Sequence, residues 1–238
     1  QSSKIKDRRL LELLRDIHEQ AQQQFTINNS TVNNSTDQGI FLQASGSTVQ
    51  DFTLDNNTVS NSTGQGIFVQ GNDNAQQNFT VSNNTVSDST DQGIFIQGNN
   101  NAQQNFTVSN NTVLNSASQG IFVQANGMSQ QLNLSNNTVT NSTFDGIFIF
   151  ANTNLVIANV EFNILQNNQG WGFNGIMNSD RDFCLALNGN ESDRDFQVQR
   201  NNGTFAIVNR DNLEAINNNV PVNFVPDIND FTDVMVCP

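Results

Sequence analysis

Residues 79–105 read FTVSNNTVSDSTDQGIFIQGNNNAQQN and residues 106–131 read FTVSNNTVLNSASQGIFVQANGMSQQ, so one unit is written twice in succession. The unit recurs on both sides of this pair. Phe25, Phe52, Phe79 and Phe106 are spaced by 27, as are Ile40, Ile67, Ile94 and Ile121, and Leu132 and Ile147 follow at 26. Within each unit three short segments alternate apolar and polar residues, here Phe79–Val81, Val86 with its neighbours and Ile94–Ile96. Asn, Gly and Ser/Thr turn residues separate them. Such a unit cannot close its own apolar face. Units stacked in register at about 4.7 to 4.8 Å can, by pairing like strands in parallel. The Asn, Gly and β-branched content opposes a helical solenoid. The expected fold is therefore all-β, a right-handed parallel β-helix with three strands and about 27 residues per coil.

With these segments in view, the N-N-T-V and G-I-F-[VIL] stretches of residues 25–150 resemble the right-handed parallel β-helix repeat superfamily. That superfamily includes pectin-cleaving enzymes, alginate epimerases, phage tailspikes and bacterial surface proteins. The resemblance implies a fold and leaves function open.

Side chains alternate across a strand, which predicts inward columns of Phe25/52/79/106, Ile40/67/94/121/147 and Val32/59/86/113/139. Asn57, Asn84, Asn111, Asn137 and Asn163 fall in one turn column, where stacked amides would satisfy backbone groups. Ser30 and Gly189 are expected to depart from that column at the two ends.

The organisation expected is residues 1–24 as a basic arm and amphipathic capping helix, 25–183 as regular coils, and 184–238 as degenerate final coils and a tail. In residues 4–22, Ile5, Leu10, Leu11, Leu13, Leu14 and Ile17 favour one helical face that would lie over the first coil. Cys184 and Cys237, the two cysteines of the chain, are expected to form a disulfide that staples the tail. The chain opens on Gln1 and has no apolar run of membrane-spanning length, so it reads as processed or trimmed, and the expected location is extracellular or at the cell surface.

With 9 Lys+Arg against 22 Asp+Glu the formal charge is -13, which opposes nucleic acid and anionic membranes as partners. Between Glu19 and Asp180 there is no Lys, Arg or His. A polyuronate lyase needs cationic groups against its substrate's carboxylates, so such a site on the coils is not expected. Asp88 with Asp91, or Asp55 with Asp73, could form the carboxylate pair of a hydrolase. The competing reading makes them turn residues. The calcium nonapeptide and the EF loop are both missing, Asn72-Asp73-Asn74 is an isolated acidic turn, and His18 falls in the expected helix. No cofactor or metal is expected. Sequons such as Asn78-Phe79-Thr80 and Asn105-Phe106-Thr107 arise from a repeat written in Asn, Ser and Thr and carry no weight.

Strand parity places Phe41, Phe68, Phe95, Phe122 and Phe148 outward in an apolar stripe, with Gln43, Gln70, Gln97 and Gln124 as its polar border. A stripe of this kind marks a contact surface. The ends differ in charge: Lys4, Lys6, Arg8 and Arg9 lie at one, and Asp211, Glu214, Asp227, Asp230 and Asp233 at the other, which suits either a head-to-tail contact between copies or a basic helix resting on its own acidic body.

The leading expectation is a secreted, non-enzymatic structural rod that assembles with itself through its ends and its Phe stripe. The alternative is a glycan-binding or glycan-cleaving module that meets surface polysaccharide, although the chain has no Tyr and a single Trp171. A minor alternative is ice binding through outward Thr58, Thr85, Thr112 and Thr138, flanked by Ser60, Ser87, Leu114 and Thr140.

Overall fold

The computed structural model describes residues 21–152, 155–178, 180 and 182–237. β1 (Gln22–Asn28), β2 (Thr31–Asn33) and β3 (Ile40–Ala44) are the three strands of the first coil, and later coils repeat them. Like strands pair in parallel into sheets of nine, seven and eight strands, denoted A, B and C. The register is residue for residue, with Phe52 beside Phe79 in sheet A, Val59 beside Val86 in sheet B and Ile67 beside Ile94 in sheet C.

The inward columns fall where parity places them. Leu54, Val59, Ile67 and Val69 are fully buried. The inward rings of Phe25, Phe52, Phe79 and Phe106 stack face to face with centroids 5.3, 4.7 and 4.9 Å apart. Each such pair contributes about 0.5 to 1.5 kcal/mol beyond its buried area. Phe25, Ile27 and Val32 in the first coil are only partly buried against this core.

Two turn chemistries hold the coil. Between sheets A and B the backbone reverses through a left-handed residue, Asn29, Asn56, Asn83, Asn110 and Asn136 in successive coils, with φ from 50 to 57°. Asn is among the few non-glycine residues that adopt this conformation readily. Between sheets B and C a glycine column runs from Gly39 through Gly66 and Gly93 to Gly120. A Cβ on Gly93 would strike Val113 Cγ1 and lie 2.8 Å from the Gly120 carbonyl, so only hydrogen fits there.

The residue after each left-handed Asn forms the asparagine ladder, which runs further than its sequence column suggested. Asn57, Asn84, Asn111, Asn137 and Asn163 continue through Asn190 to Asn217, and the amide of Ser30 bonds the first rung at 3.0 Å. Gly189 is not a break in this column. It occupies the preceding left-handed position at φ 65°, and Asn190 is the rung.

A second ladder lies inside the coil. Gln50, Gln77, Gln104 and Gln130 point inward, and each donates from Nε2 to the Oε1 of the preceding coil's glutamine, starting from Gln23. Val156 pairs with Gln130 in the next coil, and among the described residues the Gln130 Oε1 has no donor.

The C-terminal region is more regular than expected. Strands Asp182–Asn188, Thr204–Val208 and Thr232–Val234 extend sheet A, and Phe196–Arg200 and Val222–Val225 extend sheet C. Sheet B ends at Glu191–Ser192, and helix α1 (Leu213–Ile216) follows one coil later. Asn217 caps α1 and is also the last rung of the ladder, donating to the carbonyls of Leu187 and Leu213. The Cys184–Cys237 disulfide fastens the tail to sheet A across 53 residues. At the other end β1 begins at Gln22, so residues 22–24 belong to the first coil and not to an arm. The expected helix with His18, and the basic residues Lys4, Lys6, Arg8 and Arg9, lie outside the described residues.

Candidate functional site: the outer face of sheet C

In the first five coils each strand of sheet C presents an outward Phe and, two residues on, an outward Gln or Phe, between inward apolar residues or Gly. The first outward column is Phe41, Phe68, Phe95, Phe122 and Phe148, as parity predicted. Successive ring centroids lie 4.8 to 5.0 Å apart, with planes within 6 to 19° of parallel. The rings therefore cover one another's faces and turn their edges outward. Phe95, mid-column, is only 8% exposed, and the other four are half-buried. The stripe is a rigid rib of ring edges rather than a row of free faces.

Beside it, Gln43, Gln70, Gln97 and Gln124 form an outward amide ladder with Nε2 to Oε1 distances of 2.6 Å. Phe150 takes the next position in that column, tilted against Phe148 with centroids 6.2 Å apart.

The uniform columns end at the coil starting near residue 142, and the most unusual chemistry lies there. A file of Gln65, Gln92 and Gln119 at the B-to-C turn is succeeded by Asp145 and then Trp171. Asp145 is 8% exposed; its Oδ1 accepts from the Trp171 amide at 2.8 Å and its Oδ2 from Asn174 Nδ2 at 3.1 Å. Gly170 lets the carboxylate in, since a Cβ there would strike Asp145 Oδ1. Burial pushes the Asp145 carboxyl above its ordinary value, against the lowering effect of the Asn174 and Trp171 hydrogen bonds. Asn174 follows Phe148 in the outward column and is 7% exposed, and among the described residues its Oδ1 has no donor. Phe144 stands beside Asp145 at 54% exposure. Asp145 is thus a largely buried carboxylate whose two oxygens each accept one hydrogen bond. Its hydrogen-bond partners are an amide side chain and a backbone amide, so it does not form a carboxylate pair among the described residues. Sequence reading missed this site because a lone Asp in a glutamine column looks like another turn residue.

The other acidic candidates are held by neighbouring amides. Asp88 accepts from Asn115 on the following coil at 2.9 Å, whereas Asp91 accepts from Gln65 on the preceding one at 2.8 Å. Asp55 and Asp73 do not meet. Asp55 closes a sheet A strand and accepts from Ser82 and Asn83, which lower its pKa. Asp73 lies in the turn before the next sheet A strand and accepts from Asn100. A seven-residue strand of about 20 Å separates these two turns.

At the C-terminal end, Asp227 caps the amide of Asn229, Asp230 pairs with Arg200 at 3.3 Å, and Asp233 accepts from the amide of Arg210, which also pairs with Asp211. Two arginines thus share the end that the sequence showed as acidic. Thr58 and Thr85 are exposed and Thr112 and Thr138 half-buried on three-residue sheet B strands, and Ile164 interrupts the file. Among the described residues no three His, Cys, Asp or Glu side chains gather as a metal site, and no helix is long and apolar enough to cross a membrane.

The chain matches the right-handed beta helix region family over residues 17–220, and it belongs to that family. No curated protein and no solved structure matches it.

Proposed function

We propose that the protein is a secreted, non-enzymatic structural rod that associates with further copies through the outer face of sheet C. One observation carries this reading: five phenyl rings repeat at 4.8 to 5.0 Å in one outward column of sheet C. A rib with that period is matched in register by a surface with the same period, and another copy of this protein supplies one. The Gln43 to Gln124 amides give the rib a polar border, as interface rims have. Contact through the ends ranks second, because Arg200 and Arg210 offset part of the acidic charge there. The disulfide suits an oxidising, extracellular setting.

The test is Phe68→Asp, with circular dichroism to check that the rod stays folded. Light scattering and electron microscopy should show that assemblies of the native protein disperse in the variant. Identical particles from the folded variant would remove the stripe as the interface.

The alternative, a glycan-binding or glycan-cleaving module, is favoured by the Asp145, Trp171 and Asn174 cluster. An unpaired buried acceptor, Asn174 Oδ1, next to a largely buried carboxylate suits a hydroxyl-rich ligand. The stacked phenyl edges do not add to it, because sugars pack on ring faces. Release of reducing sugar from a polysaccharide panel, lost in Asp145→Asn, would put this reading first.

A further inference from the structure

We infer that Asn202 is a site of spontaneous covalent modification, at which its side-chain amide is converted to a carboxylate through a cyclic imide. The sequence holds four Asn-Gly pairs, at 126, 174, 188 and 202. Glycine lacks the Cβ that shields its peptide nitrogen, so in each pair that nitrogen could reach the asparagine Cγ if the backbone were free to turn. The structure withholds that freedom from three of them. Asn126 closes a sheet C strand paired with Asn99. Asn174 and Gly175 both lie within a sheet C strand, and the Asn174 amide is bound to Asp145. The Gly189 amide donates to the Ile216 carbonyl at 2.8 Å, and the Asn188 carbonyl accepts from Phe162 at 2.9 Å.

Asn202 differs on every count. It is exposed, in the bend between strands Phe196–Arg200 and Thr204–Val208, and among the described residues its side chain has no hydrogen-bond partner. The amide of Gly203, at φ 70°, has none either. Attack of the Gly203 nitrogen on Asn202 Cγ forms the new C–N bond and breaks the bond from Cγ to Nδ2. The departing nitrogen carries the peptide proton away as ammonia. Solvent water then opens the imide at either carbonyl, leaving aspartate or isoaspartate.

The product bears on the C-terminal tail. Arg200 Nη1 donates to the Gly203 carbonyl at 3.0 Å while Nη2 holds Asp230. Isoaspartate adds one atom to the backbone just before Gly203 and moves that carbonyl away from the guanidinium.

The experiment ages the full-length protein at mildly alkaline pH and follows all four sites by peptide mass spectrometry, in the folded protein and in denaturant. In the folded protein Asn202 should convert at least about tenfold faster than the other three, and in denaturant the four rates should draw together. Asn202→Ser should abolish the early acidic species seen on ion exchange. Equal conversion at all four sites of the folded protein, or an unchanged acidic species in Asn202→Ser, would overturn the assignment. The converted fraction should also exchange amide hydrogens faster over residues 227–237, and unchanged exchange there removes the link to the tail.

Discussion

The side-chain oxygen of Asn84 accepts two hydrogen bonds from Asn57, one from its backbone amide at 2.9 Å and one from its side-chain amide at 3.0 Å. Asn84 Nδ2 in turn donates to the Leu54 carbonyl and to Asn111 Oδ1, both at 3.0 Å. One side chain thus bonds buried polar groups on the coils before and after its own. Asn84→Ala leaves the Asn57 backbone amide without a partner and removes one bond each from the Asn57 side chain, which keeps the Ile27 carbonyl, and from the Leu54 carbonyl, and should cost about 3 kcal/mol. Urea unfolding of the variant measures this directly, and a loss near zero would mean that water replaces the amide.

The left-handed turn position is Asn in the first five coils and Phe162 in the next, at φ 54° and 51% exposed. A bulky side chain is disfavoured there by roughly 1 to 2 kcal/mol, and this one gains little burial in return. Phe162→Asn should therefore raise the thermal midpoint by several degrees, by relieving backbone strain rather than adding a contact. Scanning calorimetry decides it.

Glycines of neighbouring coils differ sharply in what they tolerate. Gly93→Ala drives a methyl into the backbone of the next coil and should cost about 3 kcal/mol. Gly64→Ala, whose new methyl meets nothing closer than 3.2 Å, should stay within about 1 kcal/mol. Matched denaturation curves for the two variants test the contrast.

Two carboxylates should give opposite pH signatures. Asp145 has its pKa raised above 3.8 by burial, so the unfolded chain ionises first and stability falls as pH climbs from that value to the folded one. Asp55 has its pKa lowered by Asn83 and Ser82, so its contribution is present above 3.8 and is lost as pH falls through the lower folded value. Asp145→Asn should remove the first slope, and its new amide could donate to the orphaned Asn174 Oδ1. Asn83→Ala should flatten the second. Midpoints measured from pH 2 to 7 for both variants separate the two effects.

The columns of Phe, Ile and Val are legible because a strand repeats every two residues and the coil every 27. The same parity places Gln50, Phe52 and Leu54 on one side, so the inward glutamine ladder is readable in principle. Residue type hides it, because glutamine ordinarily lies at the surface and only stacking reveals that each amide has a partner. The coils after Cys184 are obscured by shorter turns: Asn163 precedes Phe173 by ten residues, but Asn190 precedes Phe196 by six. The ladder spacing of 27 from Asn163 to Asn190 to Asn217 survives that loss. Asp145 is illegible for another reason. Its burial depends on Gly170 and Asn174 in the next coil, and no pattern within one coil announces it.

The tolerance of the C-to-A turn sets how this molecule can change size. Coils of 26 and 27 residues stack without disturbing any ladder, the difference being absorbed between Ile121 and Leu132 and between Ile147 and Ala158. Adding or removing one residue inside a strand would misalign every column at once. Gene duplication of a whole turn of the spiral leaves each contact in place, so growth comes in quanta of one layer. The near-identity of residues 79–105 and 106–131 fits a protein that lengthened by copying itself.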